Sequence, residues 1–119
     1  MRFRGAFRVV RRADHALPSV QPRPSLPRDA ALDARLWDRA GAEPLLMVNA
    51  SRKNGGAVQR NRFRRRVRMA LLQILREKPA QRAYVLWVRP SKGTRDAGRI
   101  PFHTILGQLR LALCRLDTP

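Results

Sequence analysis

Acid is what this chain most lacks: Asp and Glu total 8 against 26 Lys and Arg, a net charge of +18 over 119 residues. Such an excess opposes compaction by self-repulsion unless a polyanion neutralises it. Nucleic acid or another acidic partner therefore comes before a neutral metabolite. The single cysteine, Cys114, excludes an internal disulfide and fits a reducing cytoplasm. Long apolar runs are missing too; the longest, around Leu45 to Val48, is a handful of residues and excludes a membrane span. The opening MRFRGAFRVVRR breaks its apolar residues with arginines and lacks the hydrophobic core of a signal peptide. A cytoplasmic protein is expected. The two histidines, His15 and His103, stand far apart without a cysteine nearby, which argues against zinc. The acids are scattered, five of them from Asp14 to Glu43, and do not supply the converging carboxylates a two-metal nuclease needs. No glycine loop fits a nucleotide fingerprint. Neither catalytic nor metal-binding residues are assigned to the chain itself.

What remains is one domain, 1–119, long enough to bury a core. Its charge is uneven. Residues 51–78 hold ten basic groups against Glu77 alone, whereas 13–45 are close to neutral. All but three of the basic residues are arginine, the side chain better suited to forked phosphate contacts.

Phe7–Val10 reads as a short strand, with Phe3 and Phe7 at helical spacing as an alternative. Pro18, Pro22, Pro24 and Pro27 then mark an irregular stretch, and 13–44 as a whole reads as a Pro-rich linker or insertion within the domain. Inside it, Asp29–Ala40 suggests a short helix from the spacing of Leu32, Leu36 and Trp37. Leu45–Val48 predicts a strand, and Asn54-Gly55-Gly56 a turn. From Ala57 to Glu77 the residues Phe63, Val67, Ala70, Leu71 and Ile74 share one helical face, and the helix ends near Pro79. Tyr84–Val88 is apolar on both alternations, as a strand covered on both faces would be, which makes Trp87 core. Pro101 to Leu116 predicts a last helix with Ile105, Leu109, Ala112, Leu113 and Leu116 inward and Cys114 in the core; His103 is read as packing or solvent. The order implies α+β or α/β.

The chemistry lies in Ser51 to Arg68. With Phe63 and Val67 inward, Arg60, Arg64 and Arg68 line up at successive turns, and Asn61, Arg62, Arg65 and Arg66 fill the remaining outer surface. Like charges at this spacing destabilise an isolated helix by a few tenths of a kcal/mol per pair, roughly. A phosphate backbone offsets that, and counterion release favours the contact. The glycine turn leaves backbone N–H groups at a positive helix end, flanked by Arg52 and Lys53, a good place for an anion. Asn61 can both donate to and accept from a base edge or sugar hydroxyl.

This stretch resembles the protein component of bacterial ribonuclease P. Ser51, Arg52, Lys53, Gly55, Ala57, Val58, Arg60, Asn61, Arg62, Arg64, Arg65 and Arg68 fall in register with that family's pattern without a gap. The likeness continues through the strand Tyr84–Arg89, Pro90 and the last helix, covering about residues 45–116. It implies an α+β fold, a small mixed sheet with the basic helix in a left-handed β-α-β crossover, followed by a C-terminal helix. Crossovers are otherwise right-handed in nearly all proteins. The resemblance further implies that Arg52, Lys53, Arg60, Asn61, Arg62, Arg64, Arg65 and Arg68 contact RNA. The partners would be ribonuclease P RNA and precursor tRNA, with no membrane or protein partner. The activity would be Mg²⁺-dependent endonucleolytic removal of the tRNA 5′ leader, with the ions and the catalytic centre in the RNA subunit. The front of the chain departs from the family, whose N-terminal helix carries aromatics that help form a leader cleft; that helix is missing or altered here, and no leader-cleft residue is carried over. A ribosome- or RNA-associated basic protein without processing activity is the alternative. A nuclease in its own right and a duplex-DNA binder using the basic helix are further rivals.

Overall fold

The computed structural model describes residues 6–23, 26–41 and 43–114. Strand β1 (Arg8–Val9) lies parallel to β3 (Leu45–Val48), and β3 lies parallel to β4 (Tyr84–Pro90). Strand β2 (Leu32–Asp38) runs antiparallel to β4, giving the order β1-β3-β4-β2. Helix α1 (Ala57–Glu77) connects β3 to β4, and α2 (Phe102–Cys114) follows β4. The architecture is α+β around a mixed four-stranded sheet, as the sequence resemblance implies, with β3, α1 and β4 forming the parallel crossover unit.

The two helices share one face of the sheet. Phe63, Val67, Ala70 and Leu71 of α1 and Ile105, Leu109 and Ala112 of α2 are fully buried against Leu46, Leu86 and Val88. Leu75, not Ile74, completes the buried stripe of α1; Ile74 is half-buried at its margin. Leu113 packs at the edge of the core, and Leu116 lies outside the described residues. Cys114, expected in the core, is exposed. It stands two residues past buried Ala112, about 200° further round the helix, on the solvent side. His103 is exposed as well.

The segment 29–40 forms no helix; it supplies β2. The four-residue step from Leu32 to Leu36 suits a helix and a strand equally, and the alternation around it decides. Leu32, Ala34 and Leu36 point into the helix-side core, while Asp33, Arg35 and Trp37 take the other face. A seven-residue ladder with β4 then overrides the helix propensity of Leu and Ala. The Pro-rich stretch is also tied to the sheet. Arg23 bridges to Leu36 (N–H to O, 2.8 Å), and its guanidinium meets the Asp38 carboxylate at 2.7 Å. That hydrogen bond holds the Asp38 carboxyl below the ordinary aspartate range, with Arg82 lowering it further. Proline-flanked chain along β2 also protects an edge that would otherwise invite pairing.

The opposite face carries a smaller core of Trp37, Leu45, Met47, Val85 and Trp87, covered in part by Val10 and Leu17. The Trp37 indole N–H donates to the Val20 carbonyl at 2.9 Å. Trp87 is buried, as its strand predicts, and the guanidinium groups of Arg35 and Arg89 lie over its ring at 4.9 and 5.2 Å from the centroid. The expected strand at Phe7–Val10 is confined to Arg8–Val9; Phe7 is irregular, and Phe3 lies outside the described residues.

Two substitutions test this packing with opposite signs. Phe63→Ala removes the largest fully buried side chain and should cost about 3–5 kcal/mol in urea unfolding. Gly107 lies inside α2 where an added Cβ meets nothing within 4 Å, so Gly107→Ala should raise stability by about 1 kcal/mol.

Candidate nucleic-acid interface

The basic segment is placed by two glycines and one asparagine. After β3 the chain makes a single helical turn, Arg52–Asn54. Gly55 has φ of 122°, and a Cβ there would stand 2.9 Å from that of Gln59, so both the backbone angle and the close approach require glycine. Asn54 closes the turn: its side-chain oxygen accepts from Ser51 N–H at 3.0 Å, and its amide donates to the Thr94 carbonyl at 2.9 Å. Asn54 therefore locks the start of α1 to the loop beyond β4. The sequence marks it only as a turn residue, because its partner lies 40 positions away. Helix α1 starts at Gly56 with no side-chain cap and no acid in its first turn, so its positive end stays uncompensated.

The arginines of α1 divide into three roles. Arg62 and Arg65 are exposed on the outer surface, together with Asn61 and Arg68. Arg64 is half-buried and reaches back to the Ala50 carbonyl (3.2 Å) and the Asn61 side-chain oxygen (3.3 Å). Arg60 is half-buried beside the Gly56 carbonyl at 3.4 Å. Arg66 differs from the sequence expectation of an outward side chain. It is half-buried and donates to the carbonyls of Gly98 and Ile100 at 2.7 and 2.8 Å, stapling α1 to the segment before α2. Arg52 and Lys53 are exposed at the turn.

Of the eight expected RNA-contact residues, Arg52, Lys53, Asn61, Arg62, Arg65 and Arg68 are exposed, and Arg60 and Arg64 are half-buried. Residues the sequence did not single out join them. Asn61, Arg64 and Arg68 line a groove of about 560 Å³ whose far wall includes Arg11, Arg12 and Asn49. No local motif marks Arg11 and Arg12 as neighbours of the helix; the β1–β3 pairing brings them there.

Five of the eight acids are engaged elsewhere. Asp33 pairs with Arg89 at 2.9 Å, Asp38 with Arg23, Glu43 with Arg8, Asp96 with Arg99 and Glu77 with Arg110 at 2.7 Å. Among the described residues none of these pairs touches Arg52, Lys53, Arg62, Arg65 or Arg68. Among the described residues no three His, Cys, Asp or Glu side chains converge on one point. No helix among them is long and apolar enough to cross a membrane.

Fold and charge together define a basic α+β domain whose crossover helix is seated on the sheet by its apolar stripe and carries its arginines outward. The family model for ribonuclease P matches residues 4–116. The chain is also 34% identical over 114 residues to the ribonuclease P protein component of Ruegeria pomeroyi, covering 93% of this chain and 87% of that one. No solved structure matches. The chain belongs to the ribonuclease P protein family. The match takes in the region before residue 45, where the motif-level resemblance stops.

The different placements of neighbouring arginines can be measured. Arg66→Ala should lower stability by about 2 kcal/mol, because two carbonyls lose a charged donor. Arg65→Ala should stay within about 0.5 kcal/mol of the parent in the same urea titration.

Proposed function

We propose that this chain is the protein subunit of ribonuclease P, binding the catalytic RNA and precursor tRNA to support removal of the 5′ leader. The observation that carries the proposal is the set of exposed basic residues Arg52, Lys53, Arg62, Arg65 and Arg68, none of them paired with an acid among the described residues. Family membership selects RNA as the polyanion. Arg62, Arg65 and Arg68 neutralise phosphates, and the open end of α1 with Arg52 and Lys53 receives a further one. Asn61, on the same surface, supplies a donor and an acceptor beside those charges.

The hydrolysis belongs to the RNA subunit, which together with the substrate holds the Mg²⁺. This chain's task is electrostatic. Screening phosphate repulsion lets the catalytic RNA and its substrate approach with fewer cations, so the benefit is greatest when Mg²⁺ is scarce.

The test is cleavage of a precursor tRNA carrying a 5′ leader by a bacterial ribonuclease P RNA at low Mg²⁺, with and without the protein. The expected outcome is cleavage at the mature 5′ end that depends on the protein and is lost with Arg62→Ala/Arg65→Ala. Tight RNA binding without any gain in cleavage would instead select the non-processing RNA-associated protein.

A further inference from the structure

Strands β3 and β4 are parallel neighbours, and their chains diverge on leaving the sheet. One enters the turn Arg52–Asn54 and then α1; the other enters the loop 91–95. Parallel strands whose exits diverge leave a crevice at their carboxyl ends, where ligands of open sheets commonly bind. Here the crevice has a volume of about 830 Å³, and its walls include Asn49, Lys53, Arg89, Lys92 and Arg95, with no acid lining it among the described residues. We infer that this cleft is a second phosphodiester-binding site, in which Lys92 and Arg95 grip an RNA backbone strand opposite Lys53. The inference rests on the RNA-binding reading and adds residues outside the basic helix to it.

The loop is held in shape rather than left free. Ser91 N–H donates to the Ala31 carbonyl at 2.9 Å, and the Ser91 hydroxyl donates to the Ala30 carbonyl. Three residues on, Thr94 N–H closes a turn on the Ser91 carbonyl at 3.0 Å, while the Thr94 carbonyl accepts from Asn54. Between these anchors Gly93 takes φ of 93°, and a Cβ there would meet nothing within 4 Å. Glycine is therefore needed for the turn and not for packing, and the loop tip is open to a bulky anion.

The charges around the cleft are arranged to stay available. Asp33, the acid nearest in the sheet, is committed to Arg89 and Arg35. Asp96, directly after Arg95, accepts from Gly98 N–H at 2.9 Å and pairs with Arg99 at 3.4 Å. Lys53, Lys92 and Arg95 are exposed and form no ion pair among the described residues. The walls carry no aromatic ring on which a base could stack, so the recognition is of phosphate and independent of sequence.

The test is filter binding over a series of KCl concentrations, with ribonuclease P RNA alone and with the same RNA plus a precursor tRNA carrying its leader. Lys92→Ala/Arg95→Ala is compared with Arg62→Ala/Arg65→Ala. The third variant, Arg76→Ala/Lys78→Ala, removes the same net charge at the far end of α1, about 30 Å from its start. The expected result is weaker binding by the cleft variant and a salt slope shallower by about 1.4–1.8, two phosphate contacts' worth, with the far-end variant unchanged. Loss in the RNA-only arm assigns the bound strand to the catalytic RNA; loss only with precursor present assigns it to the substrate. Parental affinity and slope for the cleft variant in both arms, beside a weakened Arg62/Arg65 variant, overturn the cleft and leave the helix interface standing. Parental behaviour of both variants overturns the RNA-binding reading itself. An equal effect from the far-end variant reduces the result to net charge and also overturns the cleft.

Discussion

Phe63, Val67, Ala70 and Leu71 seat α1 on the sheet with no residual exposure, and that seating decides where every arginine of the helix points. The apolar stripe and the charged surface belong to one helix, so neither can rotate without the other. Packing at protein-interior density resists such a rotation. The parallel pairing of β3 with β4 then fixes both ends of the crossover, and Asn54 and Arg66 tie its start and its middle to the chain beyond β4. A stable fold therefore presents a fixed pattern of positive charge rather than a flexible basic tail.

The electrostatics follow from scarcity. With so few acids, where they pair matters more than how many pairs form. They fasten the sheet edge, the β1–β3 corner and the distal ends of the two helices, sites at which exposed pairs are worth about 0–1 kcal/mol each. Their larger effect is on what they leave alone. Arg52, Lys53, Arg62, Arg65 and Arg68 have no acidic partner among the described residues, and an external anion would relieve their mutual repulsion. On the proposed RNA-binding reading, the same distribution makes binding strongly dependent on salt.

Much of this was legible in the sequence, for identifiable reasons. The limits of α1, its outward Arg62 and Arg65, the buried YVLWV strand and the inward face of α2 all follow from long, regular periodicity. The segment 29–40 misled because a four-residue step between leucines is ambiguous, and only pairing with β4 resolves it. Arg66 looked like any other arginine of the run; carbonyls more than 30 residues away turn it inward. Cys114 follows the apolar Leu113 in sequence, but it lies on the solvent side of α2, a difference that only the helix phase reveals. Arg11, Arg12 and the loop 91–95 carry no local signature, since their place beside the interface depends on strand order.

Whether the exposed arginines of α1 form the RNA interface is tested by arginine modification with phenylglyoxal, read by mass spectrometry, on the protein alone and bound to ribonuclease P RNA. Arg52, Arg62, Arg65 and Arg68 are expected to react freely in the protein alone and to become protected together in the complex. Arg99 and Arg110 should keep their reactivity. Uniform protection across the molecule, or protection that spares Arg62 and Arg65, would rule out this surface as the RNA interface.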